Sequence, residues 1–284
     1  MAEGAERTIA QTLAQSQSAG LERLDAQLLL LHALGRQPHD RAWLIAHDGD
    51  KVSLSVSKSI EMLSKRRIQG EPLAYLTGHK EFFGMDLEVD ARVLVPRPDT
   101  ESLVEWALDV LSGMAWANVI DLGTGSGAIA LAIKKHHPEF RVQGVDRSAD
   151  ALAVAAANAE RLQLDILFRE SFWLSGLTEK FDLVASNPPY IADNDSHLAA
   201  LAHEPKQALT SGVDGLDDIR AIVAQSPDYL QPGGWLLLEH GYDQAAAVRQ
   251  LLTQSSFLQV QSRKDLAGVE RCSGGQWIPT PQCV

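Results

Sequence analysis

Apolar residues recur at steps of three and four along LERLDAQLLLLHAL and SLSVSKSIEMLSKRR, with charges between them. That period predicts two amphipathic helices. Gly20, Gly35 and Gly70 punctuate the region, and residues 1–78 are expected to form a small helical unit. Its Lys65-Arg66-Arg67 run reads as a solvated helix end. The pattern then changes. KEFFGMDLEVDARVLVP predicts a strand pair bent at Gly84, and residues 79–98 are expected to join two domains as a β-hairpin linker. PRPDTESLVEWALDVL opens a helix, with Pro98 and Asp99 at its start and Thr100 and Glu101 in its first turn.

From residue 117 strand-like and helical patterns alternate. ANVID, RVQGVD, DILFRE, FDLVAS and GWLLLEHG read as strands. SGAIALAIKKHH, SADALAVAAANAERL, GLDDIRAIVAQSPDYL and DQAAAVRQLLTQ read as helices, and two more strands, LQVQSRK and GQWIPTP, close the chain. Such alternation predicts an α/β fold, a mostly parallel sheet covered on both faces, over residues 99–284. His136 and His137 end a helix, where positive charge is favourable, and are expected to be structural.

Composition narrows the class. The chain has 284 residues, 45% of them hydrophobic, enough for a globular core. The longest aliphatic run, LLLL at 28–31, is too short to cross a bilayer, so no membrane role is expected. MAEGAERTIAQT lacks a basic-then-apolar signal layout. The two cysteines, Cys272 and Cys283, fit a reducing cytoplasm and no zinc-ligand spacing. A net charge of −12 argues against a free-standing nucleic-acid binder, but an acidic enzyme can attract a basic protein partner.

VIDLGTGSGAIAL is a strand, a glycine-rich turn and a helix. Gly123, Gly125 and Gly127, with Thr124 and Ser126 between them, let backbone approach a ligand closely. The dinucleotide pattern also matches through Gly123, Gly125 and Ala128. Two details favour S-adenosylmethionine. Asp121 ends the strand near the expected place of the amino and sulfonium groups, where a pyrophosphate would be repelled. The third glycine also falls one residue early for the dinucleotide pattern. Asp146 ends the next strand and suits a pair of ribose hydroxyls; Trp173 is a candidate to lie against adenine.

SNPPY, residues 186–190, follows the apolar run FDLVA. Its prolines make the segment stiff and extended. The Asn187 side chain and the Pro188 carbonyl both offer acceptor oxygens, Pro189 stiffens the turn, and Tyr190 offers a ring face. Two acceptors hold a planar NH2 group by both hydrogens, which suits an amide or an exocyclic amine set before a methyl sulfonium. His203 and Glu204 are candidates for the pocket, with a structural role the stronger expectation.

The chain resembles the PrmC/HemK family of release-factor glutamine methyltransferases. EPLAYLTGHKEFFG, VLVPRPDTE, DLGTGSGAIAL, SNPPY, HEPKQAL, GVDGLD and LLLEHG carry the resemblance, in the family's order. It implies a Rossmann-like class I S-adenosylmethionine methyltransferase with a small N-terminal helical domain that contributes to factor recognition. It implies N5-methylation of the glutamine in the Gly-Gly-Gln motif of class I peptide chain release factors. Gly123 to Gly127, Asp146, Trp173 and Asn187 would contact the cofactor, and Asn187 to Tyr190 the substrate glutamine. Asp99 stands where glutamate is more usual in the linker motif, and the segment after Trp173 is about one residue shorter than in some members. Three alternatives stay open: methylation of a ribosomal-protein glutamine, amino methylation of a DNA base, and a non-catalytic module that binds the cofactor. The chain's own Gly274-Gly275-Gln276 is not expected to be a substrate, because pairing in the last strands would tie Gln276 down.

Overall fold

A computed structural model describes residues 6–279, and Cys283 lies outside them. The chain divides into two compact units, Met1–His79 and Lys80–Val284. The first holds five helices among its described residues: α1 (Ile9–Ser18), α2 (Arg23–Ala33), α3 (Arg41–Ala46), α4 (Leu54–Ile68) and α5 (Leu73–Thr77). A capping box at Thr8 starts α1, and the Ser53 hydroxyl caps α4. Leu29, Leu30, Leu31, Ile60 and Leu63 form the core that the three-and-four spacing predicts. The Lys65-Arg66-Arg67 run is more tied than a solvated end. Arg66 pairs with Glu71, and Arg67 reaches Asp25 of α2 at 2.6 Å.

A hairpin of β1 (His79–Phe82) and β2 (Met85–Glu88) follows, bent at Phe83 and Gly84. The expected second strand therefore ends at Glu88, and residues 89–97 are irregular. Phe82, Met85 and Leu87 are buried in the core of the second unit. The Asn158 side chain bonds both the N–H and the carbonyl of Glu88, at 2.7 and 2.9 Å. A three-residue 3₁₀ turn, Pro98–Thr100, precedes α6 (Glu101–Val110).

The second unit then runs β3 (Asn118–Leu122), α7 (Ala128–His136), β4 (Arg141–Asp146), α8 (Ala149–Leu162), β5 (Leu167–Glu170) and β6 (Phe181–Ser186). It closes with α9 (Asp217–Gln225), β7 (Leu230–Glu239), α10 (Ala245–Gln254), β8 (Leu258–Lys264) and β9 (Glu270–Gln276). The sheet order is β5-β4-β3-β6-β7-β9-β8, with the first five strands parallel and β9 antiparallel to both neighbours. Along β6 Leu183 and Ala185 face a core shared with α6 and α7, while Val184 faces one shared with α9 and α10. Both faces are therefore covered, as continuous apolar strands require.

The last strand departs from expectation. GQWIPTP was to carry it, but β9 spans 270–276. Its two glycines are not turn residues. A Cβ on Gly274 would lie 2.5 Å from Leu237 Cδ2, and one on Gly275 would lie 2.9 Å from Phe257 Cβ. They are small so that neighbouring elements can pack against the strand. The Gln276 carboxamide donates to the Gly233 carbonyl (2.8 Å) and accepts from Gln259 (2.7 Å), which ties it down as expected. His136 and His137 likewise serve structure: one bonds the Ala132 carbonyl, and the other stacks on Phe140. No described helix is long and apolar enough to cross a membrane.

Candidate active site

Strand order reverses at β3, which has β4 on one side and β6 on the other. A crevice opens beyond the carboxyl ends of strands at such a switch point. Gly123, Thr124, Gly125 and Ser126 line it, as do Asp146, Trp173, Asn187 and Pro189. Gly127, Pro188 and Tyr190 do not. Gly127 is the residue before α7, with φ +86°, and Pro188 is buried.

The turn is stapled from two sides. The Thr124 N–H donates to the Val145 carbonyl (2.9 Å), and the Gly125 N–H to Asp146 Oδ2 (3.0 Å). The other oxygen of Asp146 accepts from the Ser148 N–H at 2.9 Å. Underneath, Asp121 Oδ2 accepts from the Thr124 hydroxyl at 2.6 Å and the Ala130 N–H at 3.3 Å. Asp121 is fully buried beneath the turn rather than on the crevice wall, and its Oδ1 has no hydrogen-bond partner among the described residues. Burial pushes its carboxyl up to about 7, against the opposing Thr124 and Ala130 hydrogen bonds. Through Oδ2 it is a staple beneath the turn.

Trp173 lies against the turn with its indole N–H on Asp218 Oδ1 at 3.2 Å. A Cβ on Gly123, whose φ is +67°, would come 3.2 Å from the Trp173 ring. Phe172, also on the wall, is half exposed beside it, with ring centroids 5.8 Å apart. The irregular segment after the hairpin supplies Arg92, Val93, Leu94 and Pro96. Glu204 pins that segment: its carboxylate accepts from the Val95 N–H at 3.1 Å and pairs with Arg97. Glu204 is therefore structural, His203 is exposed away from the wall, and Pro205 and Gln207 of the same motif line the crevice instead. Sequence reading missed Phe172, Gln207 and the linker residues. Only the adjacency of Phe172 to Trp173 offered a signal.

The Asn-Pro-Pro-Tyr segment is anchored at Ser186, Asn187 and Tyr190. The Ser186 hydroxyl donates to the Leu122 carbonyl at 2.7 Å, locking β6 to β3 at their ends. Asn187 Nδ2 donates to Thr100 Oγ1 at 3.1 Å, which leaves its Oδ1 as the acceptor for the crevice. The Tyr190 hydroxyl donates to Glu239 Oε1 at 3.2 Å, and the Tyr190 carbonyl accepts from Gln244 Nε2 at 3.0 Å. Burial pushes the Tyr190 phenol well up, so it stays neutral.

These residues fit S-adenosylmethionine. A carboxylate at the end of β4 suits two ribose hydroxyls, and the glycine turn, with Trp173 packed against Gly123, lines the same crevice. Sheet order, glycine turn and Asn-Pro-Pro-Tyr segment together define a class I S-adenosylmethionine-dependent methyltransferase.

Comparison with known proteins narrows the class. Residues 5–78 match the model described as PrmC N-terminal domain, and residues 105–215 match the Methyltransferase small domain. A release factor glutamine methyltransferase of Bordetella pertussis is 48% identical over 90% of this chain and 95% of its own length. One of Burkholderia pseudomallei is 49% identical over 90% of this chain and 92% of its own. A solved methyltransferase from Pyrococcus furiosus, 18% identical, superposes with a TM-score of 0.53 over 76% of this chain and 98% of its own, and shows the fold alone. The chain belongs to the release factor glutamine methyltransferase family.

Proposed function

We propose that this enzyme transfers a methyl group from S-adenosylmethionine to the side-chain nitrogen of the glutamine in the Gly-Gly-Gln motif of class I peptide chain release factors, in the cytoplasm. The names of its close relatives support the reaction and the substrate. One observation carries the reading at the site. The Asn187 amide spends its N–H on Thr100 and keeps its oxygen for the crevice whose wall also bears the glycine turn and Asp146.

The bound cofactor would supply an electrophilic methyl carbon. Asp146 would hold its ribose, Trp173 its adenine, and the Gly123 to Gly127 backbone would lie along it. Asn187 Oδ1 and the Pro188 carbonyl would take the two hydrogens of the substrate NH2 group. An amide lone pair is delocalised into its carbonyl, so the nitrogen attacks poorly. Two acceptors add electron density to it and fix its direction of attack, which is positioning and electrostatic stabilisation together. Tyr190, held through its hydroxyl on Glu239, would pack on the flat carboxamide, with Pro189 stiffening the segment. The proton of the methylated nitrogen is acidic enough to leave to water. The helical unit at 1–78 would recognise the factor, with residues 79–98 leading into the catalytic unit at 99–284. Neither nucleic acid nor membrane takes part.

The test is mass spectrometry of a purified release factor incubated with enzyme and cofactor. One added CH2 on the glutamine of the tripeptide is expected. Modification of a ribosomal protein or of DNA instead, or cofactor binding with no turnover on any of the three, would replace this reading.

A further inference from the structure

Trp173 stands in the left-handed backbone region, with φ +52°. That region is crowded for a bulky side chain, which stays there only where its neighbours hold it. Three hydrogen bonds do so. The Ser171 hydroxyl donates to the Trp173 carbonyl at 3.0 Å, the Leu174 N–H donates to Gln225 Oε1 at 3.3 Å, and the Trp173 indole N–H donates to Asp218 Oδ1 at 3.2 Å. Asp218 and Gln225 lie at opposite ends of α9, so one helix brackets the residue.

An indole has one N–H and no acceptor. Its single partner therefore fixes the edge of the ring, while packing against Gly123 limits one face. Asp218 lines the crevice together with Trp173. It is held in turn: its own N–H donates to Ser211 Oγ at 2.8 Å, and the Ser211 N–H donates to the Ile191 carbonyl at 3.0 Å. Ile191 directly follows Tyr190, so the acceptor of the indole is tied to the segment that carries Asn187. An acidic residue is favourable in any first helical turn. Asp217 fills that place in α9, paired with Arg220 at 2.9 Å, and Asp218 is the residue that meets the indole.

We propose that Asp218 is a positioning residue of the cofactor site: by accepting the indole N–H it fixes the Trp173 ring, and with it the surface on which the adenine of S-adenosylmethionine packs. The proposal rests on the assignment of adenine to Trp173 made above, and the experiment separates the two.

Hydrogen exchange of the Trp173 indole N–H reads the bond directly. It is followed by 15N NMR in the full-length chain without cofactor, with the signal assigned by its loss in Trp173→Phe. Exchange is expected to be slow in wild type and in Asp218→Asn, which keeps an acceptor oxygen, and about tenfold faster or more in Asp218→Ala, as loss of a hydrogen bond allows. Calorimetry with S-adenosylmethionine reads the consequence. Asp218→Ala should raise the cofactor Kd about tenfold and Asp218→Asn far less. With a release factor as substrate, the loss should fall on the cofactor KM much more than on kcat at saturating cofactor. In a Trp173→Phe background, where the ring has no N–H, Asp218→Ala should cost nothing further. Fast exchange in wild type, an Asp218→Ala effect that survives in Trp173→Phe, or wild-type affinity in Asp218→Ala beside weak binding in Trp173→Ala overturns the proposal alone. Wild-type affinity in Trp173→Ala removes the adenine assignment and the proposal with it. If Asp218→Ala does not fold, the exchange rates of wild type and Asp218→Asn decide.

Discussion

Gly215→Ala should disable the enzyme from outside the crevice. Gly215 has φ +73°, where an L side chain costs roughly 1–2 kcal/mol. A Cβ there would also sit 2.2 Å from the Tyr190 carbonyl oxygen and 2.8 Å from Gln244 Nε2. Ordinary contact needs roughly an ångström more than the first of these, and the oxygen cannot simply swing aside, because it accepts from that same Gln244 nitrogen. Breaking this bond costs about 1 kcal/mol more. The sum is about 2–3 kcal/mol of stability, and Tm should fall by roughly 2 °C or more for each kcal/mol. The displaced carbonyl belongs to the Asn-Pro-Pro-Tyr segment, and ångström-scale misplacement of a reacting group can cost about 100-fold in rate. Gly268→Ala is the control, since its φ is +83° and nothing stands within 4 Å of its Cβ. It should lose only the backbone part and keep full turnover. Thermal melts and single-turnover methylation of a release factor would report both effects. If Gly215→Ala melts with Gly268→Ala and turns over like wild type, the contact with Tyr190 does not matter and the reasoning fails.

Asn187→Ala should lower turnover by about 3 kcal/mol of transition-state stabilisation, or roughly 100-fold, with at most a moderate change in cofactor Kd by calorimetry; full turnover would end its role as acceptor. Asp146→Ala should raise the cofactor Kd, because it removes both the expected ribose partner and the acceptor for the Gly125 N–H; an unchanged Kd would refute the ribose assignment. Asp121→Asn tests the buried staple. Burial pushes its carboxyl from the ordinary 3.8 up to about 7, so its stabilising contribution is complete below 3.8 and is lost as pH rises through about 7. The asparagine oxygen can still accept from Thr124 and Ala130 and does not titrate. The variant's Tm should therefore gain on wild type as pH rises and level off above that value; parallel curves would show that Asp121 does not titrate there.

Elements with a strong local period were legible in the chain. FDLVAS and RVQGVD match β6 and β4 residue for residue, because a buried parallel strand writes itself as a continuous apolar run. The β9 strand was missed because Gly274 and Gly275 look like a turn until Leu237 and Phe257 are seen against them. Asp121 is a similar case. A strand-end carboxylate before glycines reads as facing ligand, and only packing shows that it points under the turn.

The motif residues, their order and the family they belong to were all present in one dimension, since rigidity from proline, closeness from glycine and an acceptor from asparagine are properties of residue types and short spacings. What the amide of Asn187 faces was not. Its partner Thr100 lies 87 residues away, the Glu239 behind Tyr190 lies 49 beyond it, and the Glu204 that pins the crevice wall lies 109 from Val95. Hydrogen bonds act over a few ångströms, so these choices wait until the sheet has closed and brought distant strands to one edge.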